Sequence, residues 1–291
     1  MTTASLPDYQ DNNQQSLLEK FLFPVRKFNK AKIERAVTGK TILITGASYG
    51  IGALLTKLLS DYNVTLLLVA RTTEKLEEQQ LVFKSKPCKI LIYTTDLRDE
   101  SQINSLLQKL KSENVEPDIF INNAGKSINR SVLKSADRFN DTQRCSATNF
   151  TGSVQLLLGI LPNIIKHKGQ IINVSALNVL LPSTAGWSAY QSSKAAFDQW
   201  LRCAEPELKA NDVTVSSIYL PLVRTRMSMV NEKNHTKPAM SKAKAVNIIL
   251  NSIASMKRKY TPWWTGFVLF CCSLFPNLWY RLQVNHFKKK R

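Results

Sequence analysis

Six short apolar runs punctuate the first three quarters of the chain, at 42–45, 64–69, 89–93, 119–122, 170–174 and 213–219. Each is rich in Val, Ile and Leu. Longer stretches with helical periodicity lie between them. That alternation predicts buried parallel strands joined by crossover helices. The fold class expected is α/β, a doubly wound parallel sheet in one domain with helices on both faces.

The pattern changes at both ends. Residues 1–15 are polar and are expected to be mobile. Residues 16–37 set Leu17, Leu18, Phe21, Leu22, Val25 and Phe28 among six basic residues and two glutamates. Pro24 breaks any long helix there. This segment reads either as an arm packed on the main domain or as an amphipathic membrane contact. At the other end, 262–280 runs for 19 residues without a charge, PWWTGFVLFCCSLFPNLWY. Its aromatics cluster at the two ends and basic residues flank it, a pattern suited to the membrane–water interface. Three readings stand: interfacial or hairpin attachment, a full span, and a lid packed on the soluble domain. The organisation expected is an arm at 1–38, an α/β domain at 39–256 and a basic, aromatic tail at 257–291.

Charge sharpens that division. The 291 residues carry 40 Lys and Arg against 21 Asp and Glu, a net +19. Of that, +13 lies between Val213 and the C-terminus, where Glu232 is the single acid. A surplus of this kind points to a polyanionic partner. The tail's aromatics form one block and are not interleaved with basic residues, so an anionic membrane surface is expected and nucleic acid is not. The five cysteines, Cys88, Cys145, Cys203, Cys271 and Cys272, form no C-x-x-C pair. No disulfide framework or metal site is expected. The N-terminus lacks a basic and apolar leader. A reducing, cytoplasmic location is expected, with the tail deciding whether the protein rests on a membrane.

Directly after the first run comes TGASYGIG at 45–52, followed by a helical stretch. Gly46, Gly50 and Gly52 let the backbone turn tightly and approach a pyrophosphate. Ser48, Tyr49 and Ile51 complete the loop, and the helix N-terminus offers unpaired N–H groups. The second strand ends at Val-Ala-Arg71, where an acid would favour NAD. An arginine suits the 2′-phosphate of NADP(H) instead, unless Arg71 is only a surface residue. Asp96 and Leu97, at the third strand's end, are placed to face the adenine. The alternative for Asp96 is a helix N-cap.

The segment Tyr190-Gln191-Ser192-Ser193-Lys194 opens an alanine-rich helix. Positions i and i+4 share a helix face. An ammonium near the phenol would lower the tyrosine pKa and make Tyr190 an acid–base group near neutral pH.

These motifs together resemble the short-chain dehydrogenase/reductase family. They stand as TGASYGIG at 45–52, NNAG at 122–125, NFTG around Asn149, NVSA at 173–176 and YQSSK at 190–194. The resemblance spans about residues 39–230. It implies a Rossmann-type domain and hydride transfer at a nicotinamide. It also implies that Tyr190 moves the substrate proton, Lys194 binds the nicotinamide ribose, and Asn149 holds a relay water. Asn123, Ala124 and Gly125 would line the cofactor cleft, and Thr225 would contact the carboxamide. INNAGKSINRSV, DRF at 137–139 and SSIYLPLVRTRM at 216–227 are similar to bacterial fatty acyl-CoA and long-chain aldehyde reductases of this family.

Three departures are visible. Ser175 is followed by Ala176, where the family's pattern has two serines. Ser175 is the candidate for the catalytic serine that the resemblance expects to polarise the substrate carbonyl, but it lies 15 residues before Tyr190, where that serine commonly stands about 13 before, so a loop insertion would have to bring it into register. Pro221-Leu222 replaces the common Pro-Gly. Pro206 falls inside the helix after Lys194, where it is expected to kink it and to alter a contact through which the family often forms homo-oligomers.

The function expected is an NADP(H)-dependent oxidoreductase acting on the carbonyl or alcohol of a lipophilic substrate, a fatty aldehyde or acyl-CoA first. The alternatives are an alcohol dehydrogenase for retinoid-, steroid- or sphingoid-like substrates, and a non-catalytic NADP-binding regulator.

Overall fold

The computed structural model describes residues 16–25, 27–231 and 235–288; the polar stretch 1–15 and the basic end 289–291 lie outside the described residues. Seven strands lie among the described residues: β1 Thr41–Thr45, β2 Thr65–Ala70, β3 Lys89–Thr94, β4 Ile119–Asn122, β5 Gln170–Ala176, β6 Thr214–Leu220 and β7 Lys259–Tyr260. All six expected runs are strands. They form one parallel sheet in the order β3-β2-β1-β4-β5-β6-β7. The order reverses between β1 and β4, which opens a crevice at the carboxyl ends of those two strands.

Among the described residues twelve α-helices accompany the sheet: α1 Leu17–Leu22, α2 Lys30–Val37, α3 Gly50–Leu59, α4 Thr73–Val82, α5 Glu100–Ser112, α6 Phe139–Ser146, α7 Gly152–Lys166, α8 Ser188–Ala210, α9 Arg226–Met229, α10 Lys242–Ser255, α11 Thr265–Leu274 and α12 Pro276–Lys288. Alternate strand residues feed two cores. Ile42, Ile44, Leu66 and Leu68 pack with α2, α3 and α10 on one face. Leu43, Leu67 and Phe120 pack with α5, α7 and α8 on the other. Each such side chain, withdrawn fully from water, contributes about 1.5–3 kcal/mol.

The segment before β1 is part of this body. Ile33 and Val37 of α2 are fully buried in the first core. Helix α1 begins with a capping box between Ser16 and Glu19. The Glu19 carboxylate is buried, paired with Arg224, and accepts a hydrogen bond from the Ala239 N–H at 2.9 Å. Burial works against its charge, but these donors outweigh it and hold the carboxyl below its ordinary range. Thus α1 is clamped to the segment after β6.

One expectation is corrected. The sheet continues past residue 256: Met256 ends α10 in a left-handed conformation, and Lys259–Tyr260 then pairs with β6. A two-residue edge strand carries no apolar run by which the sequence could show it. Helix α8 runs unbroken from Ser188 through Pro206 to Ala210, and Pro206 donates no backbone hydrogen bond within it.

Candidate active site

The crevice between β1 and β4 is floored by the glycine loop. Gly46 and Gly50 have φ of 66° and 62°, a region glycine enters without strain. A Cβ on Gly46 would lie 2.9 Å from the Ala124 Cα, and one on Gly52 would lie 2.3 Å from the Gly46 carbonyl oxygen. The Ala124 N–H donates to Thr45 Oγ1 at 3.0 Å. Asn123 Nδ2 donates to the Thr45 and Gly46 carbonyls at 3.0 and 3.3 Å. The Asn123 side chain therefore also serves as scaffold for the loop. Ser48, Tyr49 and Ile51 are half-buried around the start of α3. No side chain caps that helix, so its first N–H groups are available to an anion. This cradle fits a pyrophosphate.

Two supports of the loop carried no sequence signal. Gln79, buried on α4, donates to the Ala47 carbonyl at 3.0 Å. The Arg226 guanidinium stacks 3.9 Å from the centroid of Tyr49. Thr225, beside it, reaches the loop: its methyl would lie 3.6 Å from a Cβ on Gly50. Its hydroxyl caps α9 by accepting from the Ser228 N–H.

At the far end of the crevice, Arg71 follows β2 with its side chain 59% exposed and Nη1 4.0 Å from Asp96 Oδ2. Asp96 does not cap α5, since Asp99 does that. Its carboxylate is gripped by Arg98, whose Nε and Nη2 donate to Oδ2 at 2.9 and 2.5 Å. Burial pushes this carboxyl up, but the Arg98 hydrogen bonds prevail and keep it below the ordinary range. Leu97 points into the second core. Its backbone is the part left to face a nucleotide.

Helix α8 delivers the candidate catalytic pair. Lys194 is buried, and its Nζ donates to the Val174 carbonyl of β5 at 3.3 Å. Gly125, after β4, brings the groups together: a Cβ there would lie 3.5 Å from both Lys194 Nζ and Asn149 Oδ1. Asn149 sits in a π-helical turn, Ala147–Thr151. Such one-residue widenings concentrate at functional sites. Asn149 Oδ1 accepts from the Lys126 N–H at 2.7 Å, and Nδ2 donates to Ser193 Oγ at 2.9 Å. Ser193 thus joins the site, a partner not foreseen although it stands within the YQSSK motif.

The electrostatics differ from expectation. Burial pushes the Tyr190 phenol up to about 12, and burial lowers Lys194 to about 8. Desolvation is the leading cause for both groups, where the sequence suggests that the lysine would set the tyrosine. Trp187 packs edge-on to the Tyr190 ring with centroids 5.8 Å apart.

Ser175 is buried near the end of β5, and its Oγ has no hydrogen-bond partner among the described residues. Strand alternation sets it on the face opposite Val174, with Ile171 and Asn173. Ala176, the last residue of β5, is half-buried. Beside the start of α8 lies a cavity of about 320 Å³, lined among others by Arg130, Phe139, Ser188 and Ala189.

The family described as short chain dehydrogenase matches residues 40–236. The chain belongs to the short-chain dehydrogenase family. Among relatives of this short-chain dehydrogenase, the fatty acyl-CoA reductase of Acinetobacter baylyi is 39% identical over 231 residues, covering 79% of this chain and 78% of the relative. A fatty acyl-CoA reductase of Mycobacterium tuberculosis is 31% identical over 227 residues, with coverage of 78% and 77%. A solved short-chain dehydrogenase from Sphingobium yanoikuyae in complex with NADPH superposes with a TM-score of 0.70 at 22% identity, covering 82% and 96%. L-sorbose reductase from Gluconobacter frateurii, solved with NADPH and L-sorbose, gives 0.69 at 19% identity, covering 78% and 96%. These two structures share the fold of this short-chain dehydrogenase.

Proposed function

We propose that this short-chain dehydrogenase uses NADP(H) and reduces the carbonyl of a lipophilic substrate, a fatty aldehyde or fatty acyl-CoA, with Tyr190 as the proton donor. The observation that carries this reading is the convergence of Lys194 and Asn149 on Gly125, one helical turn from Tyr190. The substrate class is supported by the similarity to the fatty acyl-CoA reductases of Acinetobacter baylyi and Mycobacterium tuberculosis.

The glycine loop and the start of α3 would hold the pyrophosphate, and Arg71 the 2′-phosphate. Once bound, the dinucleotide supplies the hydride. This chain's residues do the rest. Tyr190 Oη gives its proton to the carbonyl oxygen, and the Lys194 ammonium stabilises the charge left on the phenol. Asn149 positions the backbone of Lys126, and the unpaired Ser175 hydroxyl is held in reserve at the strand end for a polar partner.

The test is NADPH oxidation with a panel of medium- and long-chain aldehydes and acyl-CoAs, run against retinoid and sterol ketones. Arg71→Ala should raise the KM for NADPH by about 10- to 150-fold, the effect of losing a charge-assisted contact of about 1.5–3 kcal/mol. The KM for NADH should hardly move. Equal use of the two nucleotides by the unaltered enzyme would defeat the NADP(H) assignment.

We propose further that the tail rests on an anionic bilayer. Among the described residues no helix is long and apolar enough to cross a membrane. Helices α11 and α12 break at Phe275, and Phe267, Phe270, Leu274 and Leu278 are exposed along them. Residues 257–291 carry +8 in sequence. Each basic residue near such a surface contributes about 1 kcal/mol. The protein should sediment with anionic vesicles and do so less at high salt, where the charge is screened. A protein that stays in the supernatant with every lipid removes the bilayer from this reading.

A further inference from the structure

Helix α12 reaches back to the loop that leads into Tyr190. The Trp279 indole N–H donates to the Ser183 carbonyl at 3.0 Å, and Gln283 Nε2 donates to the same carbonyl at 2.8 Å. Gln283 Oε1 accepts from the Ala185 N–H at 2.7 Å. One side-chain amide therefore meets the loop as a neighbouring strand would, taking one N–H and giving to one C=O. Ser183 and Ala185 are exposed, so burial does not hold them in place.

The same loop is fixed on two other sides. The Gly186 carbonyl accepts from the Arg130 N–H at 2.9 Å and from Asn129 Nδ2 at 3.0 Å. Gln191, next to Tyr190, accepts from the Thr184 N–H at 3.1 Å and donates to the Asn178 carbonyl at 2.6 Å. From Gly186 the chain passes to Trp187, which packs on Tyr190, and then to Ser188 and Ala189, which line the cavity. A continuous set of contacts thus runs from α12 through the loop to the proton donor and the cavity wall.

We propose that Trp279 and Gln283 are positioning residues of the substrate site: α12 holds the loop at 183–187, which sets the place of the cavity-lining Ser188 and Ala189, and so decides which chain lengths are accepted. This rests on the reading of the substrate as a lipophilic carbonyl compound. The cavity of about 320 Å³, which reaches Ser188 and Ala189 just before Tyr190, has room for part of such a ligand. The remainder of a long chain needs further apolar surface, and Leu278 and Leu282 of α12 offer it, each more than half exposed. The tail is on this view a component of the site and not only an attachment.

The test uses the full chain with Gln283→Leu, which keeps the bulk and removes both amide bonds, and Trp279→Phe, which keeps a ring and removes the N–H. Gln283→Glu retains the acceptor for Ala185 and should rescue part of the effect. Hydrogen exchange at the Ala185 amide should speed up by about tenfold in Gln283→Leu, while amides of β5 keep their protection. The KM for a sixteen-carbon aldehyde should rise by about tenfold, with kcat and the KM for an eight-carbon aldehyde little changed. Unaltered exchange at Ala185 overturns the clamp. Altered exchange with equal effects on both aldehydes overturns the role in chain length. Loss of vesicle sedimentation in step with activity would make α12 an anchor alone and overturn the proposal. If no lipophilic carbonyl is turned over by any form, the reductase reading falls, and exchange at Ala185 still decides the clamp.

Discussion

Replacing Tyr190 by Phe should lower kcat/KM by about 10²–10⁴-fold, the usual contribution of a positioned proton donor, while NADPH affinity stays close to that of the unaltered enzyme. The substitution removes one oxygen and preserves the edge-on packing with Trp187. With its pKa pushed up to about 12 by burial, the phenol holds its proton at neutral pH, the form that reduction requires. The reverse oxidation needs the phenolate, so its rate should climb as pH rises through the alkaline range, whereas reduction should stay level near neutrality. Rapid-mixing assays in both directions, paired with titration of NADPH fluorescence, check this. Full turnover in Tyr190→Phe would move the protein to the class of non-catalytic nucleotide binders.

Gly52→Ala should weaken NADPH binding by about two orders of magnitude. The added methyl would lie 2.3 Å from the Gly46 carbonyl oxygen and 2.9 Å from both Ala47 Cα and Asn123 Nδ2. Two of these neighbours are backbone, which cannot swing aside as a flexible side chain does. Overpacking of this kind costs about 1–3 kcal/mol or more, and the loop that must yield is the one that would grip the pyrophosphate. Gly266→Ala in α11 is the control. Its methyl meets nothing within 4 Å, so it should stabilise the helix by about 0.5–1 kcal/mol without touching nucleotide affinity. Calorimetric titration together with thermal unfolding separates the two outcomes. Equal NADPH affinity in Gly52→Ala and the unaltered protein would place the nucleotide elsewhere.

What was legible in the chain is what is local. The six expected strands, the glycine loop and the Tyr190–Lys194 spacing each occupy a few consecutive residues, and each follows from a period or a turn rule. The parts that escaped join residues far apart. Nothing near Gln79 announces that it supports Ala47, and nothing near Glu19 announces Arg224. Asp96 illustrates the limit from the other side. Its position at the end of β3 was foreseen, but its binding by Arg98 depends on the turn taken after Leu97. The Tyr190 phenol was misjudged for a related reason. The lysine four residues away is visible in sequence, and the desolvation that outweighs it is not.

The order in which the chain is made meets one of these long contacts. Trp263 and Trp264 donate their indole N–H groups to the Phe21 and Leu22 carbonyls, each at 3.2 Å, and Phe21 also packs edge-on against Trp263. A protein synthesised from its N-terminus has these carbonyls in hand long before their donors exist. Glu19 waits in the same way for Arg224 and Ala239. Until the segment bearing Trp263 and Trp264 has left the ribosome, α1 has no seat, and Glu19 and Phe23, both buried in the finished fold, face water or a chaperone. The loop entropy of closing this ring grows only with the logarithm of its length, so what keeps its two sides apart is the order of synthesis.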